Sequence, residues 1–329
     1  MYFLYIRLII KLKTYLNFLL SFNLMKTYPE FKEKFIERYS KLTDFKKFKE
    51  YSTKQQLKSI RTNTLKITTT KLKQKLNNFN LKQIPWFKDG FFISGDRTDL
   101  GNLPEHGLGY FYIQEASSMV PPLVLNPKKD DFILDIAASP GSKTTQIASL
   151  MQNTGLIIAN DIDPMRIKAL ASNLQRCGVT NTAVTMMEGR FFKDYQFDKI
   201  LLDAPCSGTG TIRKSPKTIL DWSPNLIKRI AGIQKQLLKT SFQNLKPKGT
   251  LVYSTCTMEP EEDEAVISNL LENFENAKLE KINIKNLKSS NPILKFENNE
   301  YNKEVKKCLR IWPQDNHTDG FFIAKIRKN

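Results

Sequence analysis

The chain has 329 residues, of which 40% are hydrophobic, 26% charged and 11% aromatic, which suits one large or two ordinary cores and excludes a disordered tail protein. Lysine and arginine number 51 against 33 acidic residues, a formal charge of +18, and such an excess points to a polyanionic partner, nucleic acid foremost. With 14 glycines, 4 cysteines lacking any CxxC, and 2 histidines, a collagen-like repeat, a disulfide-stapled scaffold and a Cys/His metal cluster are poorly supported, and the cysteines read as reduced cytosolic thiols.

Residues 1–25 are apolar but broken by Arg7, Lys11 and Lys13, so no run reaches the roughly 18 to 20 apolar residues of a spanning helix. They lack a small-residue cleavage pattern and read as an extension outside the native fold, with Met25 as the start. The alternative is a basic amphipathic helix lying on a membrane or on RNA. Residues 26–60 place Phe31, Phe35, Ile36, Tyr39 and Leu42 at helical spacing among lysines, which predicts amphipathic helices with a basic outer face. Strand and helix signals then alternate through SIRTNTLKI (59–67), a helical stretch at 69–79 and a turn-rich 89–109, the pattern of a small α/β unit.

In DDFILDIAASPGSKT an apolar run ends at Asp135, followed by a tight turn and a helix over 143–151. GLIIAND (155–161) is a second strand; Asp163 and Pro164 are the N-cap and first residue of a helix ending at Cys177, closed by Gly178. FDKILLD (197–203) and GTLVYST (249–255) are further strands, separated by a helix at about 224–245. CLRIWPQDNHTDGFFIAKI closes the chain as a hairpin. The expected fold is α/β, a Rossmann-like doubly wound sheet with a C-terminal hairpin, preceded by the small α/β unit. In such a sheet Asp135, Asp161, Asp203 and Cys256, at or just after strand ends, face one crevice.

The turn after the first strand favours a nucleotide-like ligand above the next helix. A phosphate-cradling loop would need glycine at 137 and 142, where the chain has Ala137 and Ser142, and GxGxxG is absent. An adenosine without pyrophosphate remains, and S-adenosylmethionine fits. Asp161 can accept both ribose hydroxyls, although Asp135 and Asp161 could instead merely cap helices. DAPCSGTG (203–210) and YSTCT (253–257) follow adjacent strands, so Cys206 and Cys256 are predicted spatial neighbours on ligand-edge loops. Cys177 and Cys308 fit buried structural roles. A thiolate at the ligand edge suits covalent catalysis.

The ordered set QEASSM (114–119), DIAASPGSKT (135–144), ANDIDPMR (159–166), EGR (188–190), DAPCSGTGTIRK (203–214), YSTCT (253–257) and RIWPQ through GFFIAKI (310–326) resembles the S-adenosylmethionine-dependent RNA cytosine-5 methyltransferases, the Sun family. The resemblance spans about residues 59–326. It implies an RNA-recognition-like domain over 26–112 and a methyltransferase domain over 113–329. It also implies that Ala137, Ala138, Ser139, Pro140, Gly141, Ser142 and Lys143 hold the methionine part of the cofactor. Asp161 would take the ribose hydroxyls with Arg166 nearby, and Glu188, where the family more often has aspartate, the adenine amino group. Ser142 replaces a commoner glycine, tolerable if the backbone there needs no positive φ. Asp203 would border the cofactor and hold the cytosine, Cys256 would be the nucleophile, and Cys206 would assist release of the product.

Cytosine carbon 5 is too weak a nucleophile to take a methyl group until thiolate addition at carbon 6 makes the ring an enamine. Asp203, protonated or sharing a proton with ring nitrogen 3, would offset the developing charge, which calls for a raised pKa. Lys143 would lower the thiolate pKa or touch the base. The cytosine must leave its stack to react, and Arg213, Lys214 and Lys217 either hold the RNA backbone beside it or form a solvated basic loop. The acidic PEEDEAV (260–266) is read as a capped helix start rather than an acid/base cluster. A DNA cytosine-5 methyltransferase would lack the STC partner, and a catalytically idle RNA-binding factor would not need Asp203, Cys206 and Cys256 together. The compact build most resembles prokaryotic or archaeal transfer RNA enzymes, so transfer RNA is expected over ribosomal RNA. The further expectations are a cytoplasmic monomer with no metal and no stable membrane association.

Overall fold

The computed structural model describes residues 28–329. The apolar extension and the start at Met25 therefore lie outside the described residues. The helices predicted in the lysine-rich segment are α1 (Glu33–Leu42) and α2 (Phe45–Thr53). Asp44 caps α2 by accepting the Lys47 N–H at 3.1 Å. Phe35 and Tyr39, one turn apart, stack with ring centroids 4.0 Å apart. Together with Phe48 they pack against Trp222, Ile227, Met258 and Trp312, so the apolar stripe of these helices is buried on the later part of the chain.

A four-stranded antiparallel sheet follows, built from β1 (Ser59–Thr62), β2 (Asn80–Gln83), β3 (Gly90–Ser94) and β4 (Phe111–Ile113) in the order β2-β3-β1-β4. Helix α3 (Thr69–Lys75) covers one face, and Ile60, Leu72, Phe91 and Phe111 form the core between them. The predicted helix at 69–79 thus stops four residues early, and β3 occupies part of the stretch read as turns.

The larger sheet has eight strands. Its elements run α4 (Val120–Leu125), β5 (Phe132–Asp135), α5 (Ser142–Met151), β6 (Leu156–Asp161), α6 (Pro164–Cys177), β7 (Thr182–Met186), β8 (Phe197–Asp203), α7 (Pro224–Gln243), β9 (Leu245–Thr255), α8 (Glu264–Asn273) and β10 (Ala277–Glu280). A small hairpin, β11 (Lys295–Phe296) with β12 (Asn299–Glu300), stands apart, and β13 (Leu309–Ile311) and β14 (Phe321–Lys328) complete the sheet. The strand order is β10-β14-β9-β8-β5-β6-β7, with β13 paired to β14. Strands β5 to β9 are mutually parallel, and β14 runs antiparallel to β9, β10 and β13, which is the expected closing hairpin. The order reverses between β5 and β8, so the crevice at their carboxyl ends is the topological switch point where ligands bind.

Local sequence explains these boundaries. Asp163 accepts the N–H groups of Met165 (2.7 Å) and Arg166 (3.3 Å), Pro164 opens α6, and Gly178 ends it at φ 70°. Leu170, Leu174 and Cys177 are the buried stripe of α6. Strand β7 was not anticipated. It is an edge strand whose Ala183, Val184 and Met186 are exposed, so it carries no continuous apolar run to read. Among the described residues no helix is long and apolar enough to cross a membrane.

Candidate active site

The turn after β5 is shaped by Gly141, which sits at φ 99° as the N-cap of α5. A side chain there would be strained, and its Cβ would stand 3.0 Å from Leu170 Cδ1. Ser142 is the first helical residue and has no positive φ, so the position where the family more often has glycine accepts serine without backbone cost. Asp135, at the end of β5, is buried and accepts the Thr144 hydroxyl at 2.7 Å. Its Oδ1 has no hydrogen-bond partner, and burial above all pushes its carboxyl up to about 7.

Two cavities open along the carboxyl edge. The first, about 440 Å³, is lined by Asp161, Arg166, Glu188, Pro205, Cys206 and Ile233. The second, about 310 Å³, is lined by Gln114, Asp135, Pro140, Lys143, Lys214 and Phe321. Ala137, Ser139, Asp203 and Cys256 border both. The loop 137–143 is therefore divided between the cavities. Lys143 joins Ala138, Pro140 and Ser142 in lining only the second, and Gly141 lines neither. Helix α5 begins at Ser142, so the loop and the first helical turn border the two cavities unequally.

The thiols meet as predicted, with Cys206 Sγ 3.2 Å from Cys256 Sγ. The contact with Cys256, together with burial, pushes the Cys206 thiol well above the usual cysteine range. Two buried side chains clamp the backbone on either side of Cys206. Gln234 Nε2 donates to the Pro205 carbonyl at 2.8 Å and to Glu262 Oε2 at 3.0 Å, and Glu262 Oε2 accepts the Ser207 N–H at 2.9 Å. Gly210 N–H donates to the Cys256 carbonyl at 3.0 Å, and Thr257 bonds Ser207 and Thr209 through their hydroxyls at 2.7 and 2.9 Å. The two cysteine loops are thus a single laced unit.

Asp203 carries the second cluster. Its Oδ2 accepts from Lys143 Nζ at 2.6 Å and its Oδ1 from the Ser254 hydroxyl at 2.7 Å. The ammonium of Lys143 also lies 5.3 Å from the Phe321 ring centroid. Asp203, expected to be protonated or to share a proton with ring nitrogen 3, is paired with Lys143 because α5 brings that ammonium against the end of β8. Lys143 therefore has the carboxylate, rather than either thiol, as its close partner.

The first cavity carries Asp161 and Glu188 beside the shared Asp203. Asp161 is buried; its Oδ2 accepts the Ser139 N–H at 3.2 Å, and its Oδ1 accepts the Asp163 N–H at 3.1 Å. Each oxygen keeps further acceptor capacity. Arg166 stands 3.5 Å from Asp161 and donates to the Ser139 carbonyl at 2.8 Å. Arg190 forks onto Glu188 with two contacts of 3.1 Å and holds its carboxyl below the usual range. Carboxylates at the ends of β6 and β8 and after β7, with the unpartnered Asp135 Oδ1 close by in the second cavity, suit a cationic ligand bearing a vicinal diol and an aminopurine. S-adenosylmethionine has that chemistry. Among the described residues no group of three or more His, Cys, Asp or Glu side chains is arranged to hold a metal ion.

Two further readings are corrected. Arg213 is buried, pairs with Asp319 at 2.9 Å and donates to the His317 carbonyl at 3.3 Å, so it builds the fold, whereas Lys214 and Lys217 remain exposed. PEEDEAV is a buried charge cluster, since Glu262, Asp263 and Glu264 have no exposure and the Asp263 side chain does not cap α8. Arg310 meets Asp263 at 3.0 Å and Glu264 at 2.6 Å. Glu259, just before this segment, accepts from Arg38 and Tyr39 at 2.8 Å and from Trp222 at 2.9 Å, tying α1 to the segment after Cys256. Gln234, Ser254, Glu259 and Glu262 were missed as site residues because helical and strand periodicity marks them only as ordinary polar positions. Cys177 and Cys308 are buried, as expected.

The fold, the acid-lined cavity and the adjoining thiol pair place the protein among the S-adenosylmethionine-dependent methyltransferases that act on RNA. Residues 122–327 match the family described as 16S rRNA methyltransferase RsmB/F, and residues 31–116 match the N-terminal domain of 16S rRNA methyltransferase RsmF. The chain belongs to the RsmB/F family, the Sun family of RNA methyltransferases. It is 47% identical to the tRNA (cytosine(49)-C(5))-methyltransferase of Pyrococcus abyssi over 92% of this chain and 97% of that protein. It is 46% identical to the ribosomal RNA small subunit methyltransferase F of Shewanella amazonensis, over 82% of this chain but 58% of that protein. A crystal structure of a methyltransferase homolog protein from Pyrococcus horikoshii superposes with a TM-score of 0.77 at 40% identity, covering 86% of this chain and 90% of that one. NSun6 from the same organism, crystallised with SFG, gives 0.79 at 27% identity, covering 91% and 98%.

Proposed function

We propose that the protein transfers a methyl group from S-adenosylmethionine to carbon 5 of a cytosine in transfer RNA, through a covalent bond between Cys256 and carbon 6. The observation that carries this reading is the place of Cys256, which borders both cavities and has Cys206 Sγ 3.2 Å from its own sulfur. A nucleophile there touches a base in the second cavity while facing a cofactor in the first. In this reading residues 26–112 present the RNA and residues 113–329 carry out the transfer, in a cytoplasmic monomer.

When bound, S-adenosylmethionine supplies an electrophilic methyl group on a sulfonium. Asp161 accepts the ribose hydroxyls, Arg166 flanks them, Glu188 shares its carboxylate between Arg190 and the adenine amino group, and Ala137 and Ser139 border the methionine part. The Cys256 thiolate forms the carbon 6–sulfur bond, and the displaced ring electrons make carbon 5 nucleophilic. Asp203 anchors the amino edge of the cytosine, and the Lys143 ammonium on its Oδ2 offsets the negative charge that develops on the ring. Transfer leaves S-adenosylhomocysteine; the carbon 5 proton then passes to water, its bonding pair re-forms the ring double bond, and the carbon 6–sulfur pair returns to Cys256, with Cys206 assisting the expulsion.

The Pyrococcus abyssi relative, named for cytosine 49 of transfer RNA and matched over 97% of its length, supports transfer RNA. Ribosomal RNA is the second reading, favoured by the Shewanella relative, of which this chain spans 58%. The test incubates Cys206→Ala and Cys256→Ala variants with cellular RNA and S-adenosylmethionine, followed by denaturing electrophoresis, with bisulfite sequencing of RNA treated with the wild type. A trapped protein–RNA adduct with Cys206→Ala but not with Cys256→Ala is expected, and sequencing names the RNA. The reverse pattern moves the nucleophile to Cys206; no adduct and no methylation in any pool leaves an RNA-binding factor.

A further inference from the structure

A third cavity, about 610 Å³, lies where the small sheet meets the end of the chain. Its lining includes three aromatic side chains, Tyr51, Trp86 and Phe92, and three lysines, Lys58, Lys82 and Lys288. The aromatic residues are half-buried, so they contribute to the wall while keeping exposed surface. Trp86 is tethered by its Nε1–H to the Ala116 carbonyl at 3.3 Å, and Tyr51 packs edge-on against His317 with centroids 5.4 Å apart. All three lysines are exposed, and none forms a salt bridge among the described residues. The lining's one carboxylate, Asp315, is occupied within the fold by the Trp312 N–H at 2.9 Å and the Ser290 hydroxyl at 3.0 Å. The groove therefore offers aromatic surface and a net positive charge, three lysines against one carboxylate that lies within electrostatic reach of Lys288. Two lining residues also keep buried polar atoms without a hydrogen-bond partner, His317 Nε2 and Gln314 Oε1.

The groove adjoins the second cavity through a thin wall. Asp319 lines the cavity that holds Cys256, and His317, two residues earlier, lines the groove. Two residues of chain span at most roughly 7 Å. The wall is fixed by Asp319, which accepts from Arg213 at 2.9 Å and from Gln56 at 3.3 Å, and by Arg213, which donates to the His317 carbonyl at 3.3 Å. Lys214 is exposed on the active-site side, and Lys54, paired with Glu50 at 3.8 Å, lies within electrostatic reach of His317 with its ammonium 5.2 Å from the Tyr51 ring centroid.

We propose that this groove binds the single-stranded nucleotides adjoining the target cytosine, stacking bases on Tyr51, Trp86 and Phe92 and pairing phosphates with Lys58, Lys82 and Lys288. It rests on the reading of RNA as the substrate. The chemistry is that of a single-strand site, in which aromatic faces take any base and cations follow the backbone. A strand whose cytosine enters the second cavity reaches the groove by crossing the Asp319–His317 wall. The groove thus deepens that reading by assigning the flanking nucleotides a place outside the catalytic cavity.

Tryptophan fluorescence tests this without requiring methylation. Trp222 and Trp312 are only 3% and 4% exposed, so quenching by a short unstructured oligouridylate reports on Trp86. Saturable quenching is expected with the full-length protein and should vanish in Trp86→Phe. Combined Lys58→Glu, Lys82→Glu and Lys288→Glu should weaken binding at least about tenfold at 0.1 M salt and flatten the salt dependence by about 2 in log–log slope. The melting temperature of that variant checks its fold, and fluorescence anisotropy of labelled RNA gives its affinity independently. RNA binding that leaves Trp86 unquenched overturns the proposal, as does unchanged affinity in a folded triple variant. If the wild type methylates no RNA yet Trp86 is quenched, the proposed activity fails and the groove stands. If methylation proceeds and the groove variants bind RNA as the wild type does, the groove fails and the activity stands.

Discussion

Replacing Glu262 by glutamine should change how stability depends on pH. Glu262 has no exposure; its Oε2 holds the Ser207 N–H and Gln234, and its Oε1 has no partner. Burial is the main reason its carboxyl rises from 4.5 to about 7. A carboxyl raised on folding binds a proton more tightly in the native state, so its contribution is fully present below the unfolded value and is lost as pH rises through the folded one. At about 1.4 kcal/mol per pH unit, the displacement from 4.5 to about 7 is worth on the order of 3 kcal/mol. Glutamine keeps the volume and an acceptor for Ser207 but does not titrate. Relative to the wild type, Glu262→Gln should therefore gain on the order of 3 kcal/mol between pH 5 and pH 8 in urea unfolding. Glu262→Ala additionally deprives the Ser207 N–H of its acceptor, costing about 1–3 kcal/mol at any pH. With the backbone around Cys206 released, that variant should accumulate the Cys256–RNA adduct on denaturing gels. Wild-type and Glu262→Gln stability curves running parallel across this range would refute the reasoning, and an adduct level equal to wild type in Glu262→Ala would refute the link to Cys206.

Lys143→Met removes the ammonium on Asp203 while keeping most of the side-chain volume, and should lower kcat by about a hundredfold or more; methyl incorporation under saturating RNA measures it, and a change under threefold counts against a role in charge stabilisation. Arg310→Met leaves Asp263 and Glu264 buried without their cation, which should cost about 3–5 kcal/mol in urea unfolding; a loss below 1 kcal/mol contradicts that account. Gly210→Ala would set a Cβ 2.4 Å from the Gly320 carbonyl oxygen and 2.8 Å from that of Cys256. Both are backbone atoms that cannot swing away, so the melting temperature should drop by several degrees and adduct formation should fall with it.

Much of the parallel sheet is legible because its strands are short apolar runs ending in polar residues, and because caps such as Asp163–Pro164 and Gly178 act through neighbouring backbone alone. The adjacency of Cys206 and Cys256 follows from the same logic, as each lies just beyond the end of one of two adjoining strands. Strand β7 escapes because an edge strand with exposed side chains needs no apolar pattern. The PEEDEAV segment misleads because four acidic residues at the start of a helix look like dipole compensation. The actual partner of Asp263 and Glu264, Arg310, lies 46 residues beyond Glu264 in the chain.

Most strand limits, the helix caps and the four positions at the sheet's carboxyl edge are thus properties of local pattern, since each depends on residues a few positions apart. Which cation meets which carboxylate is a different matter. Lys143 on Asp203, Arg213 on Asp319 and Arg38 on Glu259 join residues 60, 106 and 221 positions apart, and charge has no periodicity to announce its partner. The division of the 137–143 loop between two cavities likewise depends on the direction in which α5 leaves β5. Both emerge only when helices and sheet are packed, because burial makes an unpaired charge costly enough to select its partner.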